Sequence, residues 1–223
     1  MNKKDAKEAA PILQRSLKAL LNAVPTEGSA VGSDLRTACG RLAANAEALL
    51  LRNAAGPPLA NCFDLAFQAG ATQAELAIAR NETLTEAPVT VGATIIKQSI
   101  IGMCLATEGR AIARMTFTSR EDVDALKLQM NQVFNAAEEV AADEMAQMTY
   151  RALVGLHGAV TFYLVDTARP LPRMVQYRFY GIMPSLVMAN RLYYDARRAD
   201  QLRAENKVVH PAFMPAAGRA LSA

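Results

Sequence analysis

The chain has no tryptophan, only two histidines and only three cysteines. Cys39, Cys62 and Cys104 lie far apart with no CxxC between them. They form neither a disulfide framework nor a zinc pattern, and they suit a reducing compartment. His157 and His210 sit in no HExxH or ExxH spacing, which excludes the common histidine metal sites. The nucleophile elbow GxSxG, the Walker loop and GxGxxG are also missing. A long apolar run is lacking too. The most apolar stretch, residues 89–106, is interrupted by Lys97 and Gln98 and falls short of a membrane span. Met1 to Asp5 holds two lysines with no apolar core behind them, unlike a signal peptide. These absences predict a protein made in a cytoplasm, with no catalytic centre, no metal, no cofactor and no membrane segment.

What is present is a globular composition, 52% hydrophobic and 20% charged. Alanine is abundant, which favours close-packed helices, although a genome rich in Ala and Arg codons gives the same bias. The net charge of +3 is unevenly spread. Residues 169–223 hold nine Lys/Arg against three Asp/Glu, and the rest of the chain is slightly acidic. A basic segment of this kind is a solvated face, or faces an acidic protein or phosphate.

Hydrophobic periodicity predicts a first helix over residues 5–24, with Ile12, Leu13, Leu17, Leu20, Leu21 and Val24 on one face. Pro25-Thr26-Glu27-Gly28 should end it. A second helix, capped by Ser33, should carry Leu35, Leu42, Leu49 and Leu50 until Gly56-Pro57-Pro58 breaks it. Further helices are expected over 59–80, over the apolar 89–114, from Ser119 to about 150, and over 149–167. Ser119 reads as an N-cap with Glu121 and Asp122 behind it. Pro170, Pro172 and Pro184 then punctuate the chain. A short extended segment over 174–179 and two short helices, 185–194 and 197–206, should follow before a Pro-fixed tail. The expectation is a mainly α protein with a helical bundle body and a small C-terminal α+β module. Its divisions are N-terminal helices over 1–56, a helical body over 57–168 and the Pro-punctuated segment and module over 169–223.

Two constellations invite a chemical reading. Glu139 and Asp143, in the densest acidic cluster, share a helix face at i, i+4 and could hold a cation; a solvated face is the simpler account. His157, between Gly155 and Gly158 on an apolar helix, reads as a packed, hydrogen-bonded histidine. Met145 and Met148 fit an adaptable binding face or a filled core gap.

The C-terminal third is more specific. Met183-Pro184-Ser185-Leu186-Val187-Met188-Ala189-Asn190-Arg191-Leu192-Tyr193-Tyr194-Asp195 leads into Arg198-Ala199-Asp200-Gln201-Leu202 and Asn206, then His210-Pro211-Ala212-Phe213-Met214-Pro215 and Gly218. This resembles the C-terminal signature of the Mu-like phage DNA circularisation proteins, a family of phage tail and baseplate components. Upstream, Phe117-Thr118-Ser119-Arg120-Glu121-Asp122 and Tyr150-Arg151-Ala152-Leu153 resemble further segments of that family. The match covers about residues 117 to 219. It departs at Tyr194, where the family has Gly. Nothing before residue 57 reads as strands, so the family's β-rich N-terminal domain has no counterpart in this chain.

The same segment resembles a LysM module, with Leu186, Ala189, Leu192, Leu202, Asn206, Pro215 and Gly218 at matching spacing. The resemblance implies a structural tail or baseplate subunit in the virion, assembled in the host cytoplasm. Its partners would be other tail proteins, and several copies would stand about the tail axis. Phe213 and Met214 are the expected apolar anchors, with Arg197, Arg198, Arg203, Tyr193 and Tyr194 around them. Leu186, Ala189, Leu192, Asp195, Leu202, Asn206, His210, Pro211, Pro215 and Gly218 are expected to build the module. Phe213 serving the module's own core is the competing expectation. The family name points to a rival function, binding of DNA ends, which the near-neutral charge limits to weak, non-specific contact. Glycan binding is a third, for which the missing tryptophan leaves few aromatic platforms.

Overall fold

Apolar residues at helical spacing dominate, and the chain is mainly helical with one two-stranded antiparallel sheet near the C-terminus. The computed structural model describes residues 1–24, 28–144 and 146–222. The expected stop at Pro25, Thr26 and Glu27, and Met145, lie outside the described residues, as does Ala223. Contacts divide the chain into one unit of Met1–Met115 with Met130–Val160, and a second of Thr116–Gln129 with Thr161–Ala223. This division cuts across two helices.

In the first unit, α1 (Lys3–Ala23) is capped by Asn2, whose side chain accepts from the Asp5 N–H at 2.8 Å. Leu13, Leu17 and Leu20 form its buried stripe. The cap of α2 (Ala30–Ala44) is Ser29, which accepts from the Gly32 N–H at 2.9 Å. Ser33, the expected cap, lies a turn inside the helix. The expected single helix to Leu50 is two, α2 and α3 (Ala46–Leu51), parted at Asn45, whose side chain turns back onto the Arg41 carbonyl at 2.9 Å. Gly56-Pro57-Pro58 opens α4 (Gly56–Gln68), because proline is tolerated in a first turn, where no intrahelical N–H bond is lost. Residues 59–80 are likewise divided, at Gly70 (φ 94°), a left-handed position that glycine takes without strain. A capping box between Thr72 and Glu75 then starts α5 (Gln73–Leu84).

The apolar stretch does form one helix, α6 (Val91–Ile112), with Ile100, Cys104, Leu105 and Ile112 buried. Its start is fixed by Glu8 of α1, whose carboxylate accepts from the N–H groups of Val89 (2.6 Å) and Thr90 (3.0 Å). Those bonds hold the Glu8 carboxyl below the usual carboxylate range. Gly92 is required where the helices meet, since a Cβ there would lie 2.5 Å from that of Asp5. α1 packs on α5 and α6 as well as on α2 and α3. Two long helices, α7 (Arg120–Asp143) and α8 (Gln147–Ala168), each belong partly to both units.

In the second unit, Ser119 accepts from the Asp122 N–H at 3.2 Å and so caps α7 as expected. α8 ends at Ala168, before Pro170 and Pro172. Then come β1 (Met174–Arg178), α9 (Ser185–Tyr193), a 3-10 turn (Ala196–Arg198), α10 (Ala199–Glu205) and β2 (Ala217–Leu221). β2 returns antiparallel to β1, from Met174 opposite Leu221 to Arg178 opposite Ala217. The module thus runs strand, helix, helix, strand.

Candidate binding surface of the C-terminal module

The module is small, and a few of its larger apolar groups turn inward to form its core. Tyr177, Met188, Ala189, Ala199, Leu202, Met214 and Ala220 form its core, with Leu192 and Tyr193 packed against it. Met214 is fully buried and pairs its backbone with Met183. It cannot act as an outward anchor in this fold. Phe213 points the other way and is 66% exposed, as the alternation of an extended segment requires. It therefore does not close the module's core. Leu186, expected inside, is 60% exposed, while Ser185, Met188 and Ala189 make the inward face of α9.

The polar residues of the motif hold the module together. Asn206, just after α10, donates to the carbonyls of Leu202 (2.8 Å) and Arg219 (2.7 Å) and accepts from the Arg219 N–H (2.8 Å). One amide thus fastens β2 to the end of a helix. Gly218 lies alongside, and a Cβ there would overlap the Asn206 amide oxygen and sit 2.6 Å from the Tyr177 hydroxyl. Asp195 accepts from the Arg197 N–H at 2.9 Å, and its carboxyl is held low by hydrogen bonds from the Arg197 side chain first and the backbone second. Tyr194 ends α9 in the left-handed region at φ 57° and is 92% exposed. Glycine would take that conformation without strain.

The arginines expected at the rim are already committed within the module. Arg197 grips Asp195 at 3.0 and 3.1 Å. Arg198 lies 3.7 Å above the Tyr193 ring and bonds Gln201 at 2.7 Å. Arg203 donates to Asp200 at 2.8 Å and to the Val209 carbonyl at 2.9 Å. Arg197 is nevertheless 92% exposed, and a guanidinium with five N–H groups keeps donors to spare for a partner.

What faces outward is apolar. The Ser185 N–H donates to the Pro211 carbonyl at 2.7 Å, which with the Met183–Met214 bridge sets residues 182–187 beside 209–214. Ile182 (68% exposed), Leu186, Val209 (89%) and Phe213 stand on the outside of that junction. The His210 ring lies 5.0 Å from that of Phe213 and accepts from the Ala212 N–H at 3.2 Å, so Phe213 is held in place. Pro211 and Pro215 fix the backbone on both sides of it. Ile182 and Val209 were not singled out by the sequence, because neither lies in a periodic segment.

In the first unit, His157 bonds Glu138 (2.9 Å) and Asn131 (3.0 Å) and stacks on Phe134. Glu139 and Asp143 are exposed. Among the described residues no group of three or more His, Cys, Asp or Glu is placed to hold a metal ion, and no helix is long and apolar enough to cross a membrane. Arg80 and Glu108, both buried, meet at 2.7 Å, and Gln73 bonds the same carboxylate at 3.1 Å. Burial pushes the Glu108 carboxyl up, against the pull of Arg80. The two residues stand 28 apart on different helices, so no local pattern announces the pair. An open apolar cleft of about 470 Å³ lies among Ile95, Gly102, Ala106, Ala141, Leu153 and Leu156.

Compared with known proteins, the chain matches no protein-family model and no curated protein sequence.

Proposed function

We propose that the chain is a structural subunit of a phage or phage-like tail, in the baseplate or hub, and that it works by binding neighbouring tail proteins and not by catalysis. One observation carries this reading: the residues shared with the tail-protein signature occupy the positions that make the strand–helix–helix–strand module what it is. Asn206 and Gly218 lock β2, and Asp195 caps the 3-10 turn. The outward apolar group around Phe213 is the adaptor surface, since a rigid, exposed aromatic beside aliphatic side chains is the usual anchor of a protein contact. Several copies stand about the tail axis.

The decisive experiment replaces Phe213 by Glu in the phage genome. The purified variant should keep its melting temperature, because the side chain is exposed, and should fail to enter tails. Tails that assemble normally with this variant would remove the adaptor role.

The rival reading, DNA-end binding, rests on Arg173, Arg178, Arg191 and Arg219, all exposed. It requires retardation of DNA fragments that survives physiological salt. Arg197 and Arg203, already holding carboxylates, weaken it.

A further inference from the structure

α8 is apolar on both sides. Its 22 residues carry only two charged side chains, Arg151 and Asp166. Leu153, Val160 and Leu164 are buried along one side. The opposite side is exposed at Val154, Gly155, Gly158, Ala159, Phe162 and Val165, with Arg151 and Asp166 exposed at its two ends. Phe162 alone is 72% exposed. A helix hydrophobic all round is normally covered on both sides. Nothing lies within 4 Å of the place a Cβ would take on Gly155 or Gly158, so that face is open.

The order of residues on this face is its own complement in reverse. Turn a second α8 about the point midway between Gly158 and Ala159. Arg151 then falls opposite Asp166 of the second copy, Phe162 opposite Gly155, and Gly158 opposite Ala159. Each large or charged group meets the group that fits it, twice over, as a two-fold interface requires. The small residues at the centre let the helices approach closely, and the Phe162 ring fills the space beside Gly155. A parallel pairing has none of this. It sets Arg151 on Arg151, Asp166 on Asp166 and Phe162 on Phe162. Charge placement of this kind selects the orientation of paired helices. The exposed contact of Arg169 with Asp166 at 3.6 Å is long and one turn away, so it leaves the carboxylate available.

We infer that α8 is a dimerisation helix, which pairs antiparallel with α8 of a second copy of this chain through Phe162, Gly155 and the Arg151–Asp166 ion pairs. A two-fold pair cannot by itself generate a ring about a single axis. The pairing therefore belongs to the free protein before assembly, and it covers an apolar face that would otherwise invite aggregation. The pairing itself does not depend on the tail reading; only its placement before assembly does.

The test is sedimentation velocity on the full chain across a concentration series. The wild type should approach twice the monomer mass as concentration rises. Arg151→Glu and Asp166→Arg, each alone, should weaken the dimer at least tenfold, because each sets like charges face to face. The double variant Arg151→Glu with Asp166→Arg should recover wild-type association. Phe162→Ala should leave the melting curve of the monomer unchanged and also weaken the dimer. Phe213→Glu should leave it intact. A wild type that stays monomeric at every concentration would overturn the inference. So would a dimer that the double charge reversal fails to restore, or one whose α8 helices lie parallel, seen as a short distance between spin labels at Gln147 of the two copies.

Discussion

At the scale of single residues, Tyr194 is where sequence and backbone disagree most plainly. A residue with a Cβ at φ 57° costs roughly 1–2 kcal/mol relative to the right-handed regions. The Tyr194 ring recovers little of this, being 92% exposed. Tyr194→Gly is expected to raise stability by about 1 kcal/mol, somewhat less than the strain removed, because glycine also gives the unfolded chain more freedom. A urea melt checks it: the midpoint should move up with an unchanged slope. A drop in the midpoint would mean that the ring makes a contact worth more than the strain. Gly218 is the opposite case. Its φ is ordinary, and what it provides is room, since any Cβ there meets the Asn206 amide and the Tyr177 hydroxyl.

At the scale of elements, the fold class and most helices are legible in the sequence because amphipathic periodicity is a local signal. α1, α6, α7 and α8 lie close to where the apolar spacing puts them, and the Pro cluster after Ala168 separates the helices from β1. The breaks at Asn45 and Gly70 are harder to read, because the apolar pattern runs through both and only the turn geometry reveals them. The site was half legible. The motif residues stand together, but whether Phe213 or Met214 faces inward depends on which register the bridge to Met183 fixes, a long-range fact. The buried Arg80–Glu108 pair is wholly non-local. α1 contains a further local conflict. Pro11 lies in its interior, where proline removes one backbone hydrogen bond and crowds the preceding turn. Ile12, Leu13 and the rest of the stripe hold the helix in spite of it. Pro11 itself is exposed, so Pro11→Ala should lose no packing and should stabilise the protein by about 1–3 kcal/mol. Thermal unfolding read by circular dichroism gives the answer, and an unchanged or lower melting temperature would show that the proline is structurally needed.

At the scale of the whole molecule, the two units differ in how they are held together. The first has an extended apolar core running through α1 to α6. The module has far fewer core residues, and several arrive only at the very end of the chain. Met214 and Ala220 lie beyond Asn206, as does all of β2, and the Asn206 amide needs Arg219 as its partner. A module this small cannot spare so much of its buried surface. Ending the chain after Asn206 should therefore unfold the module and leave the first unit standing. Hydrogen exchange resolves the two outcomes. Amides of Met188, Ala189 and Leu202 should lose protection, while those of Leu13, Leu76 and Ile100 keep theirs. Protection retained at Leu202 in the shortened chain would mean that β2 is dispensable and that the Asn206 network is ornament. Under the proposed tail function, the expected result also decides how a defect in assembly has to be read. Loss of assembly on truncation would follow from an unfolded module whatever its partner, whereas loss of assembly by Phe213→Glu in a protein that melts normally would follow only from a lost contact.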